Sequence, residues 1–247
     1  MKTKSLLTSS NPALGEGIFQ KEAGTMASTN QETMTREGAI NKSLMLFLML
    51  LGSASLGWMY ANLTMAIVAF ILGFITALVA IFKPKTSPVA APIYALLTGL
   101  FVGAISAIYA SLYGGIIFHA VTLTMAILFM MLFIYKTGII KVTSKFRAGV
   151  IMATGAVVLI YFISIILMFF GVSVPFLHEG GLLGIGFSLL VIGIASLNLL
   201  LDFDNFDKGE KHGAPKYMEW YVSIGLMITL VWLYVEILRL LALLQQD

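Results

Sequence analysis

The sequence predicts an all-α membrane protein with seven transmembrane helices, whose two termini lie on opposite sides of the bilayer. Hydrophobic residues make up 59% of its 247 residues and charged residues only 11%, with a mean hydropathy of +0.96. Such a chain is too apolar to fold in water. Apolar runs of about 20 residues also follow one another with short interruptions, as helices that cross a bilayer core of about 30 Å require. Basic residues lie between every second pair of these runs, a pattern that is typical of membrane proteins with several spans.

Seven apolar segments can be placed between residues 44 and 244. The connections at residues 61–62 and 114–115 are so short that they predict hairpin turns between antiparallel helices. The predicted spans are 44–60, 63–82, 92–113, 116–135, 149–171, 182–201 and 220–244.

Lysine and arginine mark one side of these spans, because cytoplasmic connections collect basic residues. The stretch before the first span and the loops after spans two, four and six hold 14 of the 15 basic residues. Only Arg239 lies inside a span. The alternation predicts an odd number of spans with the N-terminus in the cytoplasm. The net charge of +3 is thus a topology signal, and no basic face is left to bind nucleic acid.

The pattern of apolar and charged residues divides the chain into two parts. It predicts a polar cytoplasmic N-terminal tail at residues 1–43 and a seven-helix transmembrane domain at residues 44–247. The tail carries four glutamates and lacks an apolar stretch, so it does not match a signal peptide or an arginine-rich transit peptide. The chain has no cysteine, which excludes disulfides, thiolate catalysis and cysteine metal sites.

Ionisable side chains at membrane depth are costly, so each one is a functional hypothesis. Outside the tail and the loops only Asp202, Glu219 and Glu236 remain, since Asp204, Asp207 and Glu210 are expected in the inner loop. Asp202 ends the sixth span. It is either an interfacial residue at a helix end or a functional carboxylate, and the negative end of the helix dipole disfavours the first interpretation.

Glu219 opens the seventh span. An antiparallel hairpin centred near Lys211 places Asp202 level with residues 219–223, so the two carboxyls are expected to face each other. Interacting carboxyls share protons, which makes a simple pH sensor or cation site. The alternative is that Glu219 is solvated beside an aromatic belt at residues 217–221.

Glu236 lies about 24 Å along the seventh span and therefore belongs to the outer half of the membrane. Arg239 follows it by three residues on the same helix face, so an intrahelical ion pair is the simpler interpretation. Thr229 and Trp232 lie on the same face and complete the most polar stripe of this span. Such a stripe should face protein or water, which predicts a central position for the seventh helix.

No catalytic or metal-binding pattern stands out. The three histidines lie apart, with His119 and His178 on the outer side and His212 in an inner loop. The sequence lacks a serine elbow, the motif of intramembrane aspartyl proteases and a nucleotide-binding loop. We therefore expect neither enzyme activity nor a cofactor. Small residues four apart, such as Gly99 and Gly103, predict close helix packing.

Five short patterns are distributed over nearly the whole chain. They are Ser-Asn-Pro-Ala-Leu at 10–14, Met-Thr-Arg-Glu-Gly-Ala-Ile-Asn-Lys at 34–42, Leu-Asp-Phe-Asp at 201–204, Gly-Ala-Pro-Lys-Tyr-Met-Glu-Trp-Tyr at 213–221 and Trp-Leu-Tyr-Val-Glu-Ile-Leu-Arg-Leu-Leu at 232–241. In combination they resemble the bacterial branch of the Bax inhibitor-1/YccA-like membrane family. Hydrophobicity alone does not produce such a combination.

The resemblance implies a fold of six helices around a central seventh and a pH-sensitive calcium leak gated by two aspartates on the sixth and seventh helices. Asp202 matches the first aspartate. When the family's Leu-Leu-Arg ending is aligned on Leu238 and Arg239, the second aspartate of the pair falls at Thr229, which cannot ionise. Either Glu219 or Glu236 replaces it, or the pH sensor is absent.

The candidate residues for pH sensing and the ion path are thus Asp202, Glu219, Thr229, Glu236 and Arg239. Calcium prefers carboxylate oxygens, so Asp202 and Asp204 are the candidate metal ligands. Calcium is expected as a permeant ion rather than as a cofactor.

Two functions stay open at this point. One is a passive, proton-gated cation leak that conducts calcium. The other is a non-transporting regulator that binds membrane proteases or stress-response proteins. The expected partners are the lipid bilayer, calcium or protons, and other membrane proteins. The branch resembled implies a multi-pass protein of the bacterial inner membrane with a cytoplasmic N-terminus.

Overall fold

The computed structural model describes residues 32–170 and 181–245. The predicted tail up to residue 31, the outer loop with His178 and Glu179, and the last two residues lie outside the described residues. The described chain forms seven α-helices: α1 Arg36–Met59, α2 Leu63–Phe82, α3 Ser87–Leu112, α4 Ile116–Thr137, α5 Ser144–Phe169, α6 Leu182–Lys211 and α7 Met218–Leu244. A short 3-10 helix, Pro84–Thr86, precedes α3.

The prediction of an all-α membrane protein with seven spans is confirmed. Each of the seven helices is long and apolar enough to cross a bilayer, with mean hydropathies between 1.5 and 2.8. Large apolar side chains such as Phe82, Phe118 and Phe133 are exposed on the outside of the bundle. Because water would not tolerate such a surface, it must face lipid, and the protein is a multi-pass membrane protein.

Several helices extend beyond the predicted spans, because polar residues cap and anchor their ends. The hydroxyl of Thr35 accepts a hydrogen bond from the amide of Gly38, so α1 begins eight residues before the predicted span. Thr143 caps α5 in the same way. The sixth helix continues for ten residues past Leu201 and ends at Lys211, which places Asp204, Asp207 and Glu210 in a helix rather than in the predicted loop.

Helices α1 and α3 pack with their backbones close together. A Cβ atom on Gly99 would collide with the side chain of Ser53, and one on Gly103 with the carbonyl of Ala54. Gly57 lies equally close to the backbone of Leu100. The small-residue spacings therefore do serve helix packing, as predicted.

The seventh helix is by far the most buried one. In its most apolar stretch 67% of the residues are buried, against 17–39% in the other six helices. It packs against α1, α2, α3, α4 and α6, and its polar side chains bind Tyr161 of α5. These contacts support the expected arrangement of six helices around the last one, which stays a prediction.

The ends of the helices that carry basic residues meet at one end of the bundle. Arg36 at the start of α1 and Tyr135 near the end of α4 both bind Asp207 in the last turns of α6, at 3.3 Å and 2.6 Å. We call this the basic end of the bundle. Its location on the cytoplasmic side stays a prediction.

Candidate functional site

Asp202 lies on α6 and faces α7 from inside the bundle. The residue is only 9% exposed, and its Oδ2 atom accepts no hydrogen bond from the described residues. Its Oδ1 atom lies against Gly225, where an added Cβ would be 3.6 Å away. The hydroxyl of Thr229, one turn further along α7, interacts with the same carboxyl. A carboxyl group with an unused oxygen therefore sits between two tightly packed helices.

The pairing of Asp202 with Glu219 was predicted from the hairpin, and the structure does not bring the two together. Because α6 runs on to Lys211, the chain reverses about two residues later than predicted. Gly213 makes this turn with a φ of 60°, a left-handed conformation that favours glycine. Asp202 is therefore level with Gly225 rather than with Glu219.

Glu219 is neither solvated nor close to Asp202, but joins α7 to α1. It is 1% exposed, and its Oε2 atom accepts a hydrogen bond from the ammonium of Lys42 at 2.6 Å. Its Oε1 atom accepts from the amide of Thr35 at 3.0 Å and from the Thr35 hydroxyl at 3.3 Å. The carboxylate lies directly under the backbone of Gly38, since a Cβ there would collide with it.

Residues 32–35 lie along the α6–α7 turn and form what we call the N-terminal clasp. The Met34 amide donates to the Ala214 carbonyl at 2.7 Å, and the Lys216 amide to the Glu32 carbonyl at 3.0 Å. The side chains of Glu32 and Lys216 also form an ion pair. Hydrogen bonding to the Lys216 ammonium lowers the pKa of Glu32, and the Glu32 carboxylate raises the pKa of Lys216.

The predicted metal pair, Asp202 and Asp204, is not brought together either. Residues two apart on a helix point about 200° apart, and Asp204 faces α5, where Arg147 binds it at 2.5 Å. Lys208 binds the same carboxylate at 3.0 Å. Among the described residues no group of three or more histidine or acidic side chains could hold a metal ion. The acid that was predicted to help bind calcium is thus neutralised by two cations.

Glu236 and Arg239 form the ion pair that their spacing predicts. Glu236 is 3% exposed, and Arg239 Nη1 donates to its Oε1 atom at 3.1 Å. The Tyr161 hydroxyl of α5 donates to the other carboxylate oxygen at 2.7 Å and accepts from Arg239 at 2.6 Å. The guanidinium also lies over the rings of Tyr161 and Phe187. Three polar groups thus satisfy one another at a depth where water is scarce.

Comparison with protein families decides where this fold belongs. A family model described as Bax inhibitor 1 like matches residues 11–246, which include all seven helices. The chain belongs to the Bax inhibitor 1-like family. Comparison with curated proteins gives no match, and comparison with solved structures gives none either.

In this Bax inhibitor 1-like protein, Asp202 and Thr229 face each other across the α6–α7 contact. These are the two positions at which the resemblance places an aspartate pair. The structure thus brings the expected positions together, with a hydroxyl where the second carboxyl was expected. One titratable group remains where the resemblance implies two.

Sequence reasoning missed the partners of the membrane acids, namely Lys42, Arg147 and Tyr161. Lys42 was assigned to the tail and Arg147 to a loop, because each precedes the apolar run of its helix. The capping residues Thr35 and Thr143 were the signals that both helices begin earlier. Nothing in the sequence near Tyr161 indicates that it binds Glu236, 75 residues away.

Proposed function

We propose that this protein is a passive, pH-sensitive cation leak of the Bax inhibitor-1 type, that calcium is its permeant ion, and that Asp202 is its gate. The observation that carries the proposal is the position of Asp202, which is nine-tenths buried between α6 and α7, with one oxygen that accepts no hydrogen bond from the described part of the chain. Family membership supports the same conclusion. The protein acts without a cofactor and is not an enzyme.

The gate works through the charge of one carboxyl group. A neutral Asp202 is compatible with the close contact between its side chain, Gly225 and Thr229, whereas a charged carboxylate at that depth needs water or a cation. The guanidinium of Arg147 acts on the Asp202 carboxyl, but Arg147 is already bound to Asp204 and Asn205. Loss of the proton therefore separates α6 from α7 and admits water and cations, so flux rises with pH.

We assign Glu219 and Glu236 to structural ion pairs rather than to the gate. Each has a basic partner within 3.1 Å and further hydrogen bonds that hold the side chain in place. A carboxylate that is paired in this way joins its helix to a neighbouring helix, and loss of its partner is costly. Asp202 differs, because no basic side chain within residues 32–170 and 181–245 forms an ion pair with it.

Calcium flux into proteoliposomes, measured over a series of pH values, tests the proposal. Wild-type protein should conduct more at higher pH, and Asp202→Asn should flatten this dependence. Glu37→Gln is the matched control, because Glu37 is an exposed acid in the first turn of α1. Asp207 is unsuited as a control, since it binds Arg36 and Tyr135.

Equal pH profiles of wild type and Asp202→Asn in a flux-competent preparation would overturn the gate assignment. Absence of flux at every pH would favour the other function, a regulator that binds membrane proteases or stress-response proteins.

We further propose that the protein lies in a bacterial inner membrane with its basic end in the cytoplasm. The basic residues of the N-terminal stretch and of three loops support this orientation. Reporter fusions after Lys141 and after His212 should then read cytoplasmic, and a fusion at Gly114 external. A cytoplasmic signal from Gly114 would contradict the orientation.

A further inference from the structure

A deep apolar crevice opens between α1 and α4 at the basic end of the bundle. It has a volume of about 540 Å³, and its floor is formed by α6 and α7. The apolar side chains that line it include Ile40, Leu128, Phe129, Leu132, Phe203 and Leu226. Arg36 and Lys136 are the charged residues of this lining, and Phe129 is exposed to the surrounding lipid.

A second, polar cavity of about 550 Å³ adjoins the crevice, because Arg36 and Lys136 line both. Lys141, Tyr135, Asp204 and Asp207 complete the charged and aromatic lining of this polar cavity. The two cavities together form one continuous surface that is apolar toward the membrane and charged toward the end of the bundle.

The charge left over in the polar cavity is positive. Asp207 is neutralised by Arg36 at 3.3 Å, and Asp204 by Arg147 and Lys208. No ion pair joins Lys136 or Lys141 to an acid in the described part of the chain, and both lysines are exposed. Two cations thus point into the cavity without an internal anion to balance them.

We propose that this surface binds one anionic phospholipid of the leaflet at the basic end. Its phosphate lies between Lys136 and Lys141, and one acyl chain fills the apolar crevice between α1 and α4. A free phosphate ion would leave the crevice empty, whereas an acyl chain would bury its apolar lining. A zwitterionic lipid would fill the crevice but would not balance the two lysines, so charge complementarity selects an anionic headgroup.

Lipid retention by full-length protein tests the assignment. Protein is released from nanodiscs that contain equal amounts of phosphatidylglycerol and phosphatidylcholine, and the bound lipid is identified by native mass spectrometry. Wild-type protein should retain more phosphatidylglycerol than phosphatidylcholine. A lysine near an anionic headgroup contributes a factor of about five in affinity, so Lys136→Gln with Lys141→Gln should reduce this preference by a factor of about 25.

The matched control is Lys83→Gln with Lys85→Gln. These two lysines are exposed in the connection before α3, which is also a basic connection, and they line neither cavity. The control pair should retain phosphatidylglycerol as wild type does. Equal retention of the two lipids by wild type, or equal loss in both double variants, would overturn the site.

Leu132→Trp tests the crevice separately, because the larger ring fills the space of the acyl chain without a change of charge. It should lower retention several-fold, and unchanged retention would overturn the placement of the chain. An excess of inorganic phosphate should leave the lipid bound. Displacement by phosphate alone would show that the cavity binds a free anion and would overturn the phospholipid assignment.

Discussion

The ammonium of Lys42 lies 2.6 Å from the carboxylate of Glu219, so an ion pair joins the second turn of the first membrane helix to the first turn of the last one. The Glu219 side chain is 2% exposed and that of Lys42 22%. The acid is therefore held almost entirely by protein groups, whereas its partner still reaches solvent. This contact fixes the start of α7 against α1. The same helix, α7, also carries Thr229.

Glu219→Gln should lower the free energy of unfolding by about 2 kcal/mol, less than for a fully buried pair because Lys42 is partly solvated. The reason is that the Lys42 ammonium loses the anion that binds it. Chemical unfolding in detergent micelles measures the change. Glu37→Gln, on the exposed face of α1, should change stability by less than about 0.5 kcal/mol. Similar effects of the two substitutions would contradict the structural role of Glu219.

The triad of Glu236, Arg239 and Tyr161 predicts strong coupling between its members. Glu236→Gln and Arg239→Gln should each destabilise the protein by about 3 kcal/mol, because each leaves a buried charge without its partner. The double variant should cost less than the sum, with a coupling of about 1 kcal/mol or more. A double-mutant cycle of unfolding free energies measures this, and additive effects would contradict the pairing.

Thr229→Asp should restore a second carboxyl opposite Asp202. Two carboxyls in contact share a proton, and the shared proton is lost only at higher pH, so calcium flux should rise at a higher pH than in wild type. Thr229→Ser, which keeps the hydroxyl, serves as the control and should leave the profile unchanged. If Thr229→Asp and Thr229→Ser give the same pH profile, Asp202 does not act across this contact.

The N-terminal clasp should loosen in acid. The pKa of Glu32 is lowered by Lys216. The carboxylate therefore stabilises the clasp fully at pH values above the ordinary pKa of glutamate, and this stabilisation is lost as the pH falls through the lowered pKa. The pKa of Lys216 is raised, so the stabilisation of the clasp by its ammonium is lost only as the pH rises through the raised pKa. Hydrogen exchange at the Met34 amide, corrected for the intrinsic rate, reports the opening.

Glu32→Gln isolates the acid side of this effect. The variant should lack the extra opening in acid, because the amide cannot be protonated in that range. An unchanged acid response in Glu32→Gln would show that another group controls the clasp.

The seven spans and the Glu236–Arg239 pair could be predicted because both depend on local sequence. An apolar run of sufficient length specifies a membrane helix wherever it packs, and residues three apart on a helix are neighbours in any fold. The small-residue spacing of Gly99 and Gly103 likewise indicated close packing, although not that α1 would be the partner.

The pairing of Asp202 could not be predicted in this way, because it depends on where α6 ends. The first charged residue after an apolar run was interpreted as the end of the helix, but ion pairs of Asp204 with Arg147 and of Asp207 with Arg36 anchor the later turns. A shift of the turn by about two residues replaced Glu219 with Gly225 opposite Asp202. Register in a helical hairpin is thus set by contacts to other helices.

The contacts between the two ends of the chain also determine when the fold can be completed. Thr35 and Lys42 bind partners that lie 184 and 177 residues later in the sequence. While the protein is being synthesised, a nascent chain shorter than 219 residues lacks the carboxylate that binds Lys42. Such distant contacts form late and are slow to find. Synthesis of the start of the last helix therefore completes the anchoring of the first helix.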